Sequence, residues 1–286
     1  MFKKNLLLAL TSACLLVSCA KSPTGRSQFK LFPAGQMNAM GKQAFDGMKE
    51  EGNPTKVVKT NAYVNCVAKH ITAQVPKSVF AGEWEVVVFE DNQVNAFALP
   101  GGKIGVYTGL LNVADNAHQL AAVMGHEVGH VIADHGNERM SSGTVMNVGM
   151  QVTNKLLNTN QISHSKEIMS AIGLGLQVGV QLPFSRTHES EADVIGLDLM
   201  AKAGFKPEES VSLWQNMAKA SSDQRPMELL STHPAPQTRI SHLQQNMPRA
   251  RSLYQAAAVK PNCPKPVIPK VKEDKAKENK KNKANA

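Results

Sequence analysis

The sequence predicts a mainly helical α+β fold in which a small antiparallel sheet lies beside one helix that carries the chemistry. Three observations predict it. Asn116 to Asp134 hold Leu120, Val123, Val131 and several alanines at a 3.6-residue apolar repeat. Five further stretches carry helical patterning, and short apolar runs flank the turn Pro100-Gly101-Gly102. With 286 residues and 42% hydrophobic content, the chain can bury a substantial core, as one domain between a leader and a tail.

The leader begins Met1-Phe2-Lys3-Lys4-Asn5, continues as an apolar stretch from Leu6 to Val17, and ends in Ser18 and Cys19. Twelve residues are too few to cross a bilayer comfortably, so the pattern is that of a secretory signal. Leu16-Val17-Ser18-Cys19 resembles the bacterial lipobox. That resemblance implies a signal peptide over residues 1–18, lipidation of Cys19 and a periplasmic protein on a membrane anchor; Ala20 and Lys21 after the cysteine imply the outer membrane. An ordinary signal peptide cut nearby is the alternative.

Residues 19–35, with Pro23, Gly25, Pro33 and Gly35, read as a linker into a domain spanning 36–259. Helices are expected over Gln36–Glu50 and Asn61–Gln74. Strands follow at Trp84–Phe89, Val94–Leu99 and Lys103–Tyr107. Asn95-Ala96-Phe97-Ala98 has two readings: a strand whose Phe97 enters the core, or an edge that pairs with an extended peptide through main-chain hydrogen bonds.

The next helix is bounded in this reading by an Asp115 N-cap and a Gly136 stop, and it carries His126-Glu127-Val128-Gly129-His130. Residues four apart share a helix face. His126 and His130 can therefore bind one zinc ion, with Glu127 one step round to hold a water. Gly129 removes a side chain where another element could approach. Further helices are expected over Arg139–Leu156 and Ser165–Gln181, the latter a buried helix rather than a membrane span.

Two histidines need a third ligand. A histidine six residues beyond His130 would supply one, but Gly136 stands there and His135 is one place short. The other solution is a glutamate on a later helix. In His188-Glu189-Ser190-Glu191-Ala192-Asp193, Glu189 and Asp193 share a face while Glu191 points away. Spacing selects Glu189 as ligand and Asp193 as the acid that orients a zinc histidine.

After the leader only Cys66 and Cys263 remain, in a compartment that permits disulfides; a disulfide is preferred over two free thiols. The formal charge of +9 lies at the ends: Lys260 to Ala286 hold nine lysines and three acids, and Lys3 and Lys4 add two charges. Nucleic-acid binding is not implied, and 260–286 reads as a disordered tail.

With Ser185-Arg186, Glu189-x-x-x-Asp193 and Ser231-Thr232-His233-Pro234 in place, the chain resembles the HtpX and CaaX-prenyl-protease family of zinc metallopeptidases, over roughly Gln36 to Met247. Its likeness is to the soluble periplasmic lipoprotein members. The resemblance implies a gluzincin fold, one zinc ion, and endopeptidase activity on misfolded or unassembled envelope proteins. It further implies a substrate strand at Asn95, Ala96 and Phe97. His233 would lie near the metal as oxyanion stabiliser or resting ligand, Arg239 would support that loop or bind substrate backbone, and Asp193 would be second shell or proton donor. A noncatalytic chaperone for outer-membrane proteins is the rival reading, against which Glu127 argues.

Overall fold

The computed structural model describes residues 20–159, 185–222, 228–233 and 236–269. The expected signal peptide (1–18), Cys19, the helix expected over Ser165–Gln181 and residues 270–286 lie outside the described residues. The chain opens on a two-stranded hairpin, β1 (Ala20–Lys21) and β2 (Ser27–Gln28). Helices α1 (Ala34–Glu51) and α2 (Val58–Thr72) follow, and then strands β3 (Glu85–Phe89), β4 (Ala96–Leu99) and β5 (Lys103–Tyr107). The remainder is helical: α3 (Thr108–Leu111), α4 (Ala117–Ile132), α5 (His135–Thr159), α6 (Arg186–Lys202), α7 (Glu209–Ser222), α8 (Glu228–Thr232) and α9 (Pro236–Ala256). Among the described residues no helix is long and apolar enough to cross a membrane.

The sheet is mixed rather than antiparallel throughout. Its order is β3-β5-β4, with β4 antiparallel to β5 across the Pro100-Gly101-Gly102 turn, as expected, but with β3 parallel to β5. The departure comes from the 90–95 connection, which carries the chain across the end of β5. Gly109 and Thr108 hold it there by donating to the Asp91 carbonyl, at 2.8 and 2.9 Å. The consequence is that β4 forms an edge. Tyr107 N–H donates to Asn95 O at 3.1 Å, so Asn95, Phe97 and Leu99 turn their main-chain groups toward β5. By the alternation of the pleat, those of Ala96 and Ala98 face outward.

Helix α4 starts one residue later than expected, because Asn116 rather than Asp115 is the N-cap: its side-chain oxygen accepts from the amides of His118 and Gln119. The helix also stops before Gly136. Ala133 is the C-cap and Asp134 takes the left-handed turn at φ 55°, which aspartate tolerates; Gly136 is already inside α5. Every residue from Gln119 to His130 is buried, so α4 is the central rod of the core and not an amphipathic surface helix. Val64, Ile71, Val106, Leu120, Met200 and Leu213 belong to the one apolar cluster around it.

Helix α6 lies against α4 at a separation only glycine permits. A methyl on Gly125 would stand 2.7 Å from the Gly196 carbonyl oxygen, one on Gly129 2.9 Å from that of Ala192, and one on Gly196 2.6 Å from the His126 nitrogen. All three obstacles are backbone, so none can swing aside.

Two segments expected to be loose are packed. Residues 20–28 form the hairpin rather than a plain linker, with Gly25 N–H bonded to Ser22 O and Ser22 N–H to Arg26 O. Residues 260–269 lie on the body: Cys263 is buried and joined to Cys66, Lys265 Nζ donates to Ala114 O, and Ile268 packs on the core. Composition alone hid this, because one covalent link and a few apolar side chains hold a lysine-rich stretch.

The seam gives a prediction. Gly196→Ala gains up to about 1 kcal/mol of helix preference, but overpacking against rigid backbone costs about 1–3 kcal/mol. A lower unfolding midpoint and weakened metal binding are expected, measured by thermal denaturation and chelator competition; an equally stable variant with full metal affinity would refute the role of the seam.

Candidate metal centre

Four buried side chains from three elements converge: His126 and His130 of α4, Glu189 of α6, and His233 just after α8. Their donor atoms lie within 4.8 Å of one another. His126 Nε2 stands 3.1 Å from His130 Nε2 and 3.3 Å from His233 Nδ1. Glu189 Oε1 is 2.8 Å from His233 Nδ1 and 3.4 Å from His130 Nε2. Zinc bonds of about 2.0–2.1 Å place the corners of a tetrahedron about 3.3 Å apart, so these spacings are those of a four-coordinate shell.

The electrostatics agree. Burial disfavours charge on Glu189, yet hydrogen bonds from His126, His130 and His233 hold its carboxyl well below the usual range, as a carboxylate. Burial pushes His130 well below the usual histidine range and so keeps it a neutral ligand. His126 goes the other way: despite burial and the Arg239 charge, its hydrogen bonds to Asp193 and Glu189 raise it to about 9.

Beside the cluster, Glu127 is buried, and its Oε1 has no hydrogen-bond partner among the described residues; His233 Nε2 is 3.5 Å away. Burial raises this carboxyl above its ordinary range, against the lowering charges of His233 and His126. A buried carboxyl raised above its ordinary range, with one oxygen that accepts no hydrogen bond among the described residues, can take a proton.

Asp193 stands behind His126, with Oδ1 3.1 Å from Nδ1, an arrangement that leaves Nε2 to face the cluster. Arg239 is not at a surface where substrate backbone would meet it. It is 4% exposed, and its Nε donates to Asp193 Oδ2 at 2.9 Å while Nη1 pairs with Glu189 Oε2 at 3.0 Å. Nη2 contacts Asp193 Oδ1 and lies 2.8 Å from His126 Nδ1. Trp214 covers the guanidinium at 3.7 Å from the ring centre. The sequence does not show that the arginine at 239 is buried against two acids, Asp193 and Glu189, so this placement was not legible.

His130 is backed differently. Its Nδ1 meets His135 Nδ1 at 2.8 Å, and His135 Nε2 meets Glu191 Oε2 at 3.1 Å. His135, Glu191 and Arg26, which binds Glu191, are the residues sequence reasoning missed. The signal for His135 was its place near the expected helix end at Gly136, five residues from His130.

Of the expected substrate strand, Ala96 is buried, and the Phe97 ring lies 6.1–6.3 Å from the rings of Phe45, Phe89 and Tyr107. The Phe97 side chain is thus part of an aromatic cluster, and only the main chain of this strand is turned to the edge. Ala98, Leu99 and Pro100 line a cavity of about 560 Å³ with Met37 and Met40 of α1, His130, and Met140 of α5. It is a mainly apolar cleft, with Asp134, Asn137 and Arg139 also in its wall, and it reaches the metal cluster at His130.

The sequence pattern of peptidase family M48 matches residues 58–247, which include α4, α6 and His233. The chain belongs to peptidase family M48. It is 36% identical over 194 residues to the mitochondrial metalloendopeptidase OMA1 of Schizosaccharomyces pombe, covering 67% of this chain and 54% of that protein. The OMA1 of Saccharomyces cerevisiae is 31% identical over 212 residues, 71% of this chain and 59% of that one. The beta-barrel assembly-enhancing protease of Escherichia coli is 29% identical over 159 residues, 54% and 32% of the two chains. The likeness to this bacterial protease is lower than that to the two yeast proteins, and the chain spans little more than half the length of the two yeast relatives.

The donor set predicts separable losses. Glu189→Gln is expected to release the metal, whereas Glu127→Gln retains it, as zinc content of the purified variants will show. A zinc-free Glu127→Gln would place that residue in the shell instead.

Proposed function

We propose that the chain is a zinc-dependent endopeptidase that cleaves poorly folded proteins. The observation that carries this is the convergence of His126, His130 and Glu189 beside a buried carboxylate, Glu127, that takes no part in the shell. A site that served structure alone would have no use for that base.

Zinc, when bound, supplies a Lewis acid for a peptide carbonyl and makes a water acidic enough to ionise near neutral pH. The protein's own groups do the rest. Glu127 takes the proton of the attacking water and hands it to the departing amine. Asp193, held by Arg239, keeps His126 in the tautomer that presents Nε2. His233, at 3.3 Å from His126 Nε2, stands at the fourth corner; turned aside, it is placed to donate a hydrogen bond to the oxyanion.

The substrate arrives extended. The outward main-chain groups of Ala96 and Ala98 pair with it as an added strand, which binds with little regard to sequence. The cleft lined by Met37, Met40, Leu99 and Met140 favours an apolar side chain. Exposed apolar side chains on an extended backbone are what an unfolded protein displays and a folded one hides, so the site selects misfolded or unassembled chains. The setting we propose is the bacterial envelope, with Cys19 lipid-anchored in the outer membrane on its periplasmic side. The lipobox-like sequence and the likeness to the E. coli protease support it.

Digestion of unfolded casein by the purified protein, with and without a chelator, tests this reading. Cleavage abolished by chelator and restored by zinc is expected, with apolar residues enriched next to the cut bonds. Chelator-insensitive cleavage would contradict the mechanism, and cuts concentrated at charged residues would contradict the cleft assignment.

A further inference from the structure

Behind the metal cluster lies a second buried polar group that the proposed reaction does not use. Its centre is His135, 0% exposed. On one side His135 Nδ1 meets His130 Nδ1, and on the other Nε2 meets Glu191 Oε2. One assignment of protons satisfies the chain of contacts. If His130 presents Nε2 to the metal, its Nδ1 carries hydrogen and donates to His135 Nδ1. His135 is then protonated at Nε2 and donates to Glu191.

Glu191 is itself held from the N-terminal hairpin. Thr24 Oγ1 donates to its Oε1 at 2.5 Å, and Arg26 donates to its Oε2 from Nε at 3.1 Å and Nη2 at 2.9 Å. The same guanidinium forks onto Glu138 of α5, at 2.8 and 2.5 Å. Gln28 donates to Glu138 Oε2 and to the carbonyl of Ala133, the C-cap of α4. His188 stacks on His135 with ring centres 4.3 Å apart. His135, Glu138 and His188 are close enough to suggest a second metal site, but Arg26 already neutralises Glu138, so the group is a clamp.

We propose that the Ser22–Gln28 hairpin positions the metal centre: Arg26 and Thr24 fix Glu191, Glu191 fixes the tautomer and plane of His135, and His135 aims His130 Nε2 at the metal. Arg26, His135 and Glu191 are positioning residues, since none reaches the cluster itself. The two ligands of α4 are thus backed by two arginine-held acids of α6, Asp193 directly for His126 and Glu191 through an imidazole for His130. A segment at the start of the described residues thereby sets the affinity of the site, and whatever pulls the hairpin away loosens the metal.

This rests on the reading that His130 ligates zinc, and the experiment separates the two. Zinc affinity is measured by chelator competition in the full mature chain for Arg26→Ala, Glu191→Gln, their double variant, Lys30→Ala and Glu189→Gln. Cobalt(II)-substituted samples add a visible spectrum that reports ligand geometry. Lys30 pairs with Asp134 at 2.5 Å and ties down the same segment without touching the relay. Losses of about tenfold are expected for Arg26→Ala and for Glu191→Gln, within the usual range for groups behind a ligand. The double variant should be little worse than either single one, because both cut the same chain of contacts. Altered cobalt bands should accompany these losses, and Lys30→Ala should stay within about twofold of wild type, as a partly exposed ion pair does. Near-wild-type affinity in Arg26→Ala and Glu191→Gln, fully additive losses, or an equal loss in Lys30→Ala would overturn the relay. Retained zinc in Glu189→Gln would instead overturn the metal site. Should Arg26→Ala not fold, the near-isosteric Glu191→Gln decides between the same outcomes.

Discussion

The contact on which everything else depends is the seam between α4 and α6. His126 and His130 share a face of one helix, but a ligand pair becomes a centre only when another element brings a carboxylate within about 3.5 Å of both. Gly125, Gly129 and Gly196 allow that approach by presenting backbone to backbone. A single side chain in the seam would move α6 by more than the tolerance of a coordination bond. Burial follows from the same contact: with α6 on one side and the α2 and sheet layer on the other, α4 has no solvent face over its middle three turns.

Burial on this scale makes every charge expensive, and the arrangement of the α6 acids answers that cost. Glu189, Glu191 and Asp193 are all buried, and each has a cationic or imidazole partner. Glu191 shows the balance: burial raises its pKa, but hydrogen bonds from Ser22, Thr24, His135 and Arg26 outweigh it and hold the value at about 2. Asp193 is lowered likewise, burial being overcome by the Arg239 charge and the His126 hydrogen bond. Among the described residues Glu127 has no arginine hydrogen-bonded to it, and alone among these four acids it is shifted upward, by burial. The difference in environment separates a base from the carboxylates that must stay ionised.

The sequence was most legible where local rules decide the outcome. The 3.6 period placed His126 and His130 on one face, and the i, i+4 relation put Glu189 and Asp193 on another. The hairpin about Pro100-Gly101-Gly102 and the Cys66–Cys263 pair were likewise readable. What was not legible depends on contacts between distant segments. The parallel placement of β3 turns on how residues 90–95 cross β5. The burial of Arg239 is set by Trp214, and the ordering of residues 20–28 by acids more than 100 positions away. His135 illustrates the limit most clearly. Spacing dismissed it as a ligand, and no rule of spacing could show that the αL residue Asp134 turns it back onto His130.

The central claim is that three side chains of α4 and α6, with His233 at the remaining corner, form a zinc shell of nitrogen and oxygen. X-ray absorption at the zinc edge of the purified protein tests it directly. The account predicts about four nitrogen or oxygen scatterers at about 2.0–2.1 Å, with the outer-shell features of imidazole. A sulfur shell near about 2.3 Å, which would point to Cys66 and Cys263, or an all-oxygen shell without imidazole would contradict it.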